Sequence, residues 1–258
     1  MSSLVLQPVH DARLNALGLG EPLRTVSKQQ VEQLLQRIDA CDFEQRAKRG
    51  KALGQGAYGK VDLYRIDGHE VAVKRATDKA LEKEAQLHWR ATQCQRCSGN
   101  TFIVPLLIAY YCKQTATLLT VMPIYSNGTL YDEMERLRPD KTAFVALLNK
   151  RRTQGLQALQ WLHVQCRMTH NDAHEENWFV TDADTIVLGD FGEARVAEQY
   201  RTAAQFEQLC DYESLNYRYM LSGERDEKRA LGKRVGELEN SILNDPSTAT
   251  DIAGKNVI

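Results

Sequence analysis

The sequence lacks the features that mark membrane-spanning chains, general secretory signal peptides and nucleic-acid-binding chains. No apolar run approaches the roughly 20 residues that a bilayer-spanning helix needs. The start, Met-Ser-Ser-Leu-Val-Leu-Gln, has neither the basic residues nor the long apolar stretch of a general secretory signal peptide. With 33 Lys and Arg against 34 Asp and Glu, the net charge of -1 gives no general attraction to nucleic acids or lipid surfaces. We therefore expect a cytoplasmic protein with no membrane span and no nucleic-acid partner.

Cysteine pairs at metal-ligand spacing are also scarce. Of the six cysteines, only Cys94 and Cys97 form a C-x-x-C pair, and a structural zinc site usually takes a second pair. Free thiols in a reducing compartment are the simpler interpretation. At 258 residues and 43% hydrophobic composition, the chain can form one large domain or two lobes.

One stretch, Met168 to Val180, carries a spaced set of polar residues. It contains His170, Asp172 and Asn177 in the pattern H-x-D-x-x-x-x-N, and an apolar triplet after Asn177 predicts a strand. Asp190 follows a second apolar run, in the sequence Leu-Gly-Asp-Phe-Gly. An aspartate and an asparagine five positions apart on one loop can face a phosphate-bound metal from two sides. The aspartate after the next hairpin adds a further oxygen ligand.

A glycine-rich stretch precedes these motifs in the chain. Gly54, Gly56 and Gly59 form G-x-G-x-x-G, in which glycine lets backbone amides approach phosphates closely. The pattern alone would equally suit a dinucleotide site. A predicted strand from Val61 to Ile66 follows the glycines, where a dinucleotide site would have a helix. We therefore favour a phosphate-binding loop of another kind over a dinucleotide site.

The next strand and helix carry a lysine and a glutamate. Asp67-Gly68 predicts a hairpin turn into a strand that contains Val-Ala-Val-Lys74. The helical pattern from Thr77 to Gln95 puts Glu84 on its inward stripe, with Glu82 as the rival candidate. Lys74 stands among apolar neighbours on its strand.

Together these residues resemble the protein kinase superfamily. The stretch around Asp172 resembles its catalytic loop, Asp190-Phe-Gly its D-F-G motif, and Val-Ala-Val-Lys74 its V-A-I-K strand. The resemblance implies an α+β, bilobal fold, with an antiparallel-sheet N-lobe and an abbreviated, mostly helical C-lobe. It places an N-terminal arm and helix at residues 1–49, the N-lobe at 50–125, and the C-lobe with a polar tail at 126–258.

Apolar patterns predict the remaining elements. A helix begins at the capping box of Ser27, and its inward face carries Val31, Leu34, Leu35 and Ile38. Strands are predicted over residues 102–112 and 116–124, and helices over 143–165, 202–221 and 225–243.

The resemblance implies Mg-ATP as the cofactor, with Mn²⁺ as an alternative metal, and a role for each motif residue. Lys74, fixed by Glu84, would hold the α- and β-phosphates, and Asp172 would orient the acceptor hydroxyl and take its proton. Asn177 and Asp190 would bind the metal. The other implied nucleotide contacts are Gly54, Gly56, Tyr58, Gly59, Val61, Ala72, Met122, Pro123 and Tyr125.

The sequence departs from the family pattern at several positions. Asn171 replaces the arginine of H-R-D, which normally meets a phosphate on the activation loop. No proline occurs between Asp190 and Pro246, so the A-P-E end of an activation segment is missing. His174 stands where Ser/Thr protein kinases usually carry lysine. We also expect Asp211 to hold the backbone of the catalytic loop. His170 is expected to pack under the two turns in a structural role and not to act as a base.

The resulting hypothesis is a minimal Ser/Thr protein kinase that needs no activation-loop phosphorylation. It would act on a protein substrate, with activation by a regulatory protein partner as a further option. It is similar to short non-RD effector kinases that bacteria inject into host cells, which would place it in a host cytosol. Two alternatives stay open: a small-molecule or sugar kinase, which His174 favours, and a pseudokinase that serves as a binding module.

Overall fold

Alternating apolar residues build a sheet in the first half of the chain, and helical periodicity builds a helical unit in the second half. The computed structural model describes residues 35–38, 47–56, 59–66, 69–76, 79–112 and 117–244. The chain divides into two compact units, Met1–Ile124 and Tyr125–Ile258. Within the described ranges, none of the helices combines the length and the apolar character that a bilayer span requires.

The first unit contains one six-stranded sheet with the order β1-β5-β6-β4-β3-β2. Neighbouring strands are antiparallel, except that β1 runs parallel to β5. A helix, α1 (Lys79–Ser98), connects β4 to β5. The strands are β1 (Leu35–Ile38), β2 (Ala47–Gly56), β3 (Gly59–Ile66), β4 (His69–Ala76), β5 (Ile108–Cys112) and β6 (Thr117–Pro123).

One face of this sheet forms a hydrophobic core. Because side chains alternate along a strand, every second residue of β3, β4 and β6 points to the same face. We call the buried residues on that face the sheet core: Ala47, Tyr64, Val71, Val73, Leu119 and Val121.

The prediction of a helix that begins at Ser27 is wrong for its last residues. Most of it lies outside the described residues, but Leu35–Ile38 is a strand that pairs with Ala109 to Cys112 of β5. The edge of β5 offers a row of backbone hydrogen-bonding groups. Pairing with that edge overrides the local helical pattern of these four residues.

The predicted strand over 102–112 is wrong in its first part, because only Ile108–Cys112 pairs as a regular strand. Side chains of α1 bind the preceding backbone instead. Oε1 of Gln95 accepts from the amides of Phe102 and Ile103 at 2.6 and 2.7 Å, and Nε2 of Gln95 donates to the Ile103 carbonyl at 3.0 Å. His88 and Thr92 bind the backbone of Val104 and Leu106 at 2.6 and 2.9 Å. These side chains therefore satisfy backbone groups of Phe102, Ile103, Val104 and Leu106.

The second unit is built mainly from helices, and the three helices predicted there are confirmed. Asp140 caps the longest by accepting from the amides of Thr142 and Ala143. The helices are α2 (Leu130–Leu137), α3 (Lys141–Gln165), α4 (Ala203–Met220) and α5 (Arg225–Asn244). Two small antiparallel sheets accompany them: β7 (Met168–Thr169) with β10 (Arg195–Val196), and β8 (Trp178–Val180) with β9 (Ile186–Leu188).

A buried arginine joins three elements of the second unit. Arg151 of α3 is fully buried and forms a bidentate pair with Glu133 of α2, at 2.9 and 2.7 Å. Its Nη2 also donates to Asp184, in the turn between β8 and β9, at 2.7 Å. An arginine is always charged, and burying that charge is tolerated only when it is paired and hydrogen-bonded. The contacts therefore fix the hairpin on the helices.

We expect Gly155→Ala to destabilise the second unit by about 1–3 kcal/mol, because the site has no room for a methyl group. A Cβ at Gly155 would overlap Cζ and the hydroxyl oxygen of Tyr217, which is buried. Urea unfolding measures the effect. The matched control is Gly236→Ala in α5, where a Cβ meets nothing within 4 Å. There the gain in helix propensity should stabilise the protein by about 0.5–1 kcal/mol. A neutral Gly155→Ala would contradict the expectation.

Candidate active site

The predicted nucleotide residues of the first unit share one face of its sheet. Val61 is the cross-strand partner of Lys74, and Ala72 is the partner of Met122. Direct partners point to the same side of a sheet, and so do residues two apart such as Ala72 and Lys74. Val61, Ala72 and Met122 are half-buried, whereas the sheet core covers the opposite face. The predicted residues thus lie on the less covered face.

The glycine-rich stretch forms the end of the β2–β3 hairpin. Gly54 pairs with Val61, and Gly56 pairs with Gly59. Tyr58 lies outside the described residues. A Cβ added at Gly54 would meet no atom within 4 Å, so the space beside this backbone is open. The glycines therefore leave room for a ligand to approach the main chain.

Lys74 and Glu84 form a buried ion pair. Nζ of Lys74 lies 2.9 and 2.8 Å from the two carboxylate oxygens of Glu84, and the side chains are 8% and 6% exposed. The side chain of Glu82, the rival candidate, is outside the described part of the chain. A buried ion pair gains little stability over an apolar pair of similar volume. Its presence on the half-buried face therefore favours a role in binding.

Two of the implied nucleotide contacts, Pro123 and Tyr125, lie where the first unit ends and the second begins. Pro123 is the partner of Val71 at the end of β6. Tyr125 is the first residue of the second unit, and its ring packs on Phe179 with centroids 5.8 Å apart. Burial raises the pKa of Tyr125 to about 12, so its hydroxyl stays neutral at physiological pH.

Asp172 is oriented by Asn177 in the second unit. A 3-10 turn, Glu175–Asn177, brings Nδ2 of Asn177 to 2.8 Å from the Asp172 carbonyl and 3.1 Å from its Oδ2. Partial burial raises the pKa of Asp172, and His174, with Nε2 3.6 Å from Oδ2, acts in the opposite direction. The carboxylate is half-exposed and lines a cavity of about 660 Å³. The Asp172 carboxylate is therefore accessible to a molecule bound in this cavity.

The β8–β9 hairpin brings the chain at Asp190 back to Asn177. The amide of Gly189 donates to the Asn177 carbonyl at 2.8 Å, so Asp190 follows a residue bonded to Asn177. Since the NH₂ group of Asn177 faces Asp172 and His174, its amide oxygen points away from them. A carboxylate and an amide oxygen at the open end of one hairpin suit a hard divalent cation.

This pair fits Mg²⁺ held jointly with phosphates. Mg²⁺ is usually bound by one or two protein oxygens together with phosphate oxygens and water. Among the residues that the structure describes, no group of three or more His, Cys, Asp or Glu side chains could hold a metal. Cys94 and Cys97 of α1 form no disulfide among the residues that the structure describes. The oxygens of Asn177 and Asp190 thus suit a metal that binds together with a nucleotide.

His170 is a buried contact between the two motifs. Its ring is fully buried, its Nε2 donates to the Gly189 carbonyl at 2.9 Å, and it meets Phe191 edge-on at 5.1 Å. Burial lowers the pKa of His170, so the ring is neutral. The neutral imidazole of His170 therefore connects the catalytic loop to the D-F-G turn through this hydrogen bond and this ring contact.

Glu213, and not Asp211, holds the backbone of the catalytic loop. The buried Glu213 carboxylate accepts from the amides of His170 at 3.0 Å and Asn171 at 2.6 Å, and it lies 2.6 Å from Nε2 of His163. Asp211 is exposed. Burial alone would raise the pKa of Glu213, but the interactions with His163 and His170 together outweigh burial, and the pKa is lowered. The carboxylate therefore stays charged.

We expect Glu213→Gln to cost about 1.5–3 kcal/mol of stability, because charge-assisted bonds to two backbone amides are weakened. Since the folded pKa of Glu213 is below its unfolded value, its contribution is present above pH ~4.3 and is lost as pH falls through the folded pKa. The difference in unfolding free energy between wild type and variant should narrow in acid. Denaturant titrations at several pH values measure this. Glu207→Gln, an exposed position of α4, is the matched control.

A comparison with protein families decides what these motifs belong to. The protein kinase domain matches residues 47–216, well over half of the chain. The chain belongs to the protein kinase domain family. The predicted α+β, protein-kinase-like fold is thereby confirmed for this kinase domain, with its sheet in the first unit and its helices in the second.

Known proteins similar to this kinase domain include proteins of animals, fungi and plants. Mitogen-activated protein kinase kinase kinase 13-B of Xenopus laevis is 29% identical over 157 residues, 60% of this chain and 15% of that protein. Serine/threonine-protein kinase PKH2 of Candida albicans is 27% identical over 190 residues, 70% and 18% of the two chains. LRR receptor kinase SERK2 of Oryza sativa subsp. japonica is 25% identical over 216 residues, 81% and 35%. The chain thus spans between 15% and 35% of these relatives.

Proposed function

We propose that this kinase domain is an active Ser/Thr protein kinase that transfers the γ-phosphate of Mg-ATP to a protein hydroxyl. The observation that carries the proposal is the placement of Asp172. Its carboxylate is oriented by Asn177, stands on a loop held by Glu213, and lines a cavity of about 660 Å³. A general base needs such a fixed position and access to the acceptor.

The other site residues would bind the nucleotide and metal. Lys74, fixed by Glu84, would contact the α- and β-phosphates, and Asn177 and Asp190 would hold the metal. Bound Mg²⁺ neutralises phosphate charge. The acceptor oxygen attacks the γ-phosphorus, the bond to the β-phosphate oxygen breaks to release ADP, and Asp172 takes the hydroxyl proton. The proposed nucleotide contacts are Gly54, Gly56, Tyr58, Gly59, Val61, Ala72, Met122, Pro123 and Tyr125.

We base the proposed specificity for serine and threonine on the similarity to proteins such as serine/threonine-protein kinase PKH2. A small-molecule kinase is the second candidate, because His174 contacts the catalytic residues. Its Nε2 lies 3.1 Å from Nδ2 of Asn177 and 3.6 Å from Oδ2 of Asp172. The cavity volume also lies within the range of small-molecule sites.

The test is transfer from labelled ATP by the purified chain with Mg²⁺, with wild type and Asp172→Asn run in parallel. One panel contains generic protein acceptors and a cell lysate, and the other contains aminoglycosides, choline and sugars. Labelled Ser or Thr residues in the first panel support the proposal. Labelling only of metabolites would establish the second candidate. ATP binding without transfer to either panel would favour a binding module, and transfer that needs added lysate would indicate an activating partner.

We expect full activity without phosphorylation of the chain after Asp190. Asn171 donates to the Glu193 carbonyl at 3.0 Å, so a neutral bond stands where the family uses an arginine and a phosphate. Between Asp190 and Asp211 the only hydroxyls are those of Tyr200 and Thr202. Phosphatase treatment should leave kcat unchanged. Thr202→Asn, which can keep the helix cap that Thr202 gives α4, should also leave kcat unchanged. Loss of activity on dephosphorylation would contradict this expectation.

A further inference from the structure

The segment that follows the D-F-G motif returns to the catalytic loop and is fastened to it. Arg195 of β10 pairs with Thr169 of β7. The amide of Ala197 then donates to the carbonyl of Arg167 at 2.8 Å. A short 3-10 turn after this contact brings Tyr200 against the loop. The segment is therefore bound to the residues directly before the catalytic motif.

Tyr200 meets the loop through its hydroxyl group. The hydroxyl forms a short hydrogen bond with Oγ1 of Thr169, which is fully buried, and lies 3.5 Å from Nδ2 of Asn171. The ring packs on Phe206 with centroids 5.6 Å apart, which fixes the hydroxyl in place. Burial raises the pKa of Tyr200, so the hydroxyl stays neutral and can donate.

Asn171 requires support because its backbone is strained. Its φ of +64° lies in the left-handed region, which costs energy for a residue other than glycine. Its amide donates to Glu213 at 2.6 Å, and its side chain donates to the Glu193 carbonyl at 3.0 Å. Asp172 is the next residue, so whatever holds Asn171 also sets the direction of Asp172.

We infer that Tyr200 is a positioning residue for Asp172, acting through Thr169 and Asn171. Its hydroxyl holds the post-D-F-G segment and the catalytic loop together without any phosphate. The inference rests on the proposed kinase function and specifies how that site stays ordered. Positioning of this kind matters because a displacement of about 1 Å at a catalytic group can lower a rate about 100-fold.

The experiment removes the hydroxyl and leaves the ring. Tyr200→Phe should lower kcat about tenfold through misplacement of Asp172, with the KM for ATP and for the protein substrate within about twofold of wild type. Thr169→Val should have a similar effect, and the double variant should be no worse than either single variant, because the two groups act as one unit. Tyr131→Phe, which removes an exposed hydroxyl on α2, is the control and should change nothing.

A second readout does not depend on activity. Hydrogen exchange at the amides of His170 and Asn171 should be faster in Tyr200→Phe than in wild type. Unchanged kcat with unchanged exchange would overturn the inference, and so would additive effects of the two single variants. A raised KM for the protein substrate at constant kcat would also overturn it, since Tyr200 lines the same cavity and would then be a substrate contact. If wild type transfers no phosphate, the proposed function fails, and the exchange rates alone decide the inference.

Discussion

Asp172→Asn is expected to lower kcat by about 10²- to 10⁴-fold, because an amide cannot accept the proton of the acceptor hydroxyl. The substitution keeps the size of the side chain and an oxygen for Nδ2 of Asn177, so the loop should stay folded. The KM for ATP should hold, since the proposed phosphate contact is Lys74. Steady-state kinetics with labelled ATP measure both quantities.

The matched control for this variant is Asp211→Asn. Asp211 is an exposed aspartate of the same unit, and it makes no contact with the catalytic loop backbone, which Glu213 holds. Its kinetics and melting temperature should equal those of wild type. If Asp172→Asn phosphorylates the same acceptors as fast as wild type does, Asp172 is not the base.

The second large effect concerns the buried pair of Lys74 and Glu84. We expect Glu84→Ala to cost about 3–5 kcal/mol of stability, because it removes one member of a buried ion pair. The double variant Lys74→Met/Glu84→Leu removes both charges and keeps the volume, so its stability should return to within about 1 kcal/mol of wild type or exceed it. Its transferase activity should nevertheless be lost. Stability and activity would thereby be separated at one site.

An exposed pair of the same sheet serves as the control. Arg65 and Glu70 form an ion pair with side chains 66% and 40% exposed. Glu70→Ala should change the unfolding free energy by less than about 1 kcal/mol, since exposed pairs contribute little. Full activity in the Lys74→Met/Glu84→Leu variant would show that the pair is structural only. Chemical denaturation and kinetics on the same samples give both readouts.

Sequence predicted the parts of the site that depend on local spacing. The runs after Asn177 and before Asp190 predicted a hairpin, and β8 pairs with β9 in that way. The Val-Ala-Val-Lys74 strand and the helix with Glu84 were also predictable, because each has a clear period of two or 3.6 residues. The resemblance to the protein kinases then implied the pairing of Lys74 with Glu84, which the structure contains.

Long-range polar contacts could not be predicted in the same way. Glu213 was missed because a carboxylate is not expected on an apolar stripe, although Phe206, Leu209 and Tyr217 place residue 213 on that stripe by helical spacing. The contact between Gly155 and Tyr217 depends on how α3 and α4 pack, which neither helix alone encodes. Both cases involve partners that lie more than 40 residues apart in the chain.

The five hydrogen bonds between α1 and the chain over 102–106 restrict how the helix can move. Gln95, Thr92 and His88 fasten its C-terminal half to the segment that enters β5. In many protein kinases, displacement of the corresponding helix separates the lysine from the glutamate and switches the enzyme off. Here a rigid-body displacement of α1 would first have to break its hydrogen bonds to residues 102–106. An off state reached by moving α1 as a rigid body would therefore cost the free energy of these contacts.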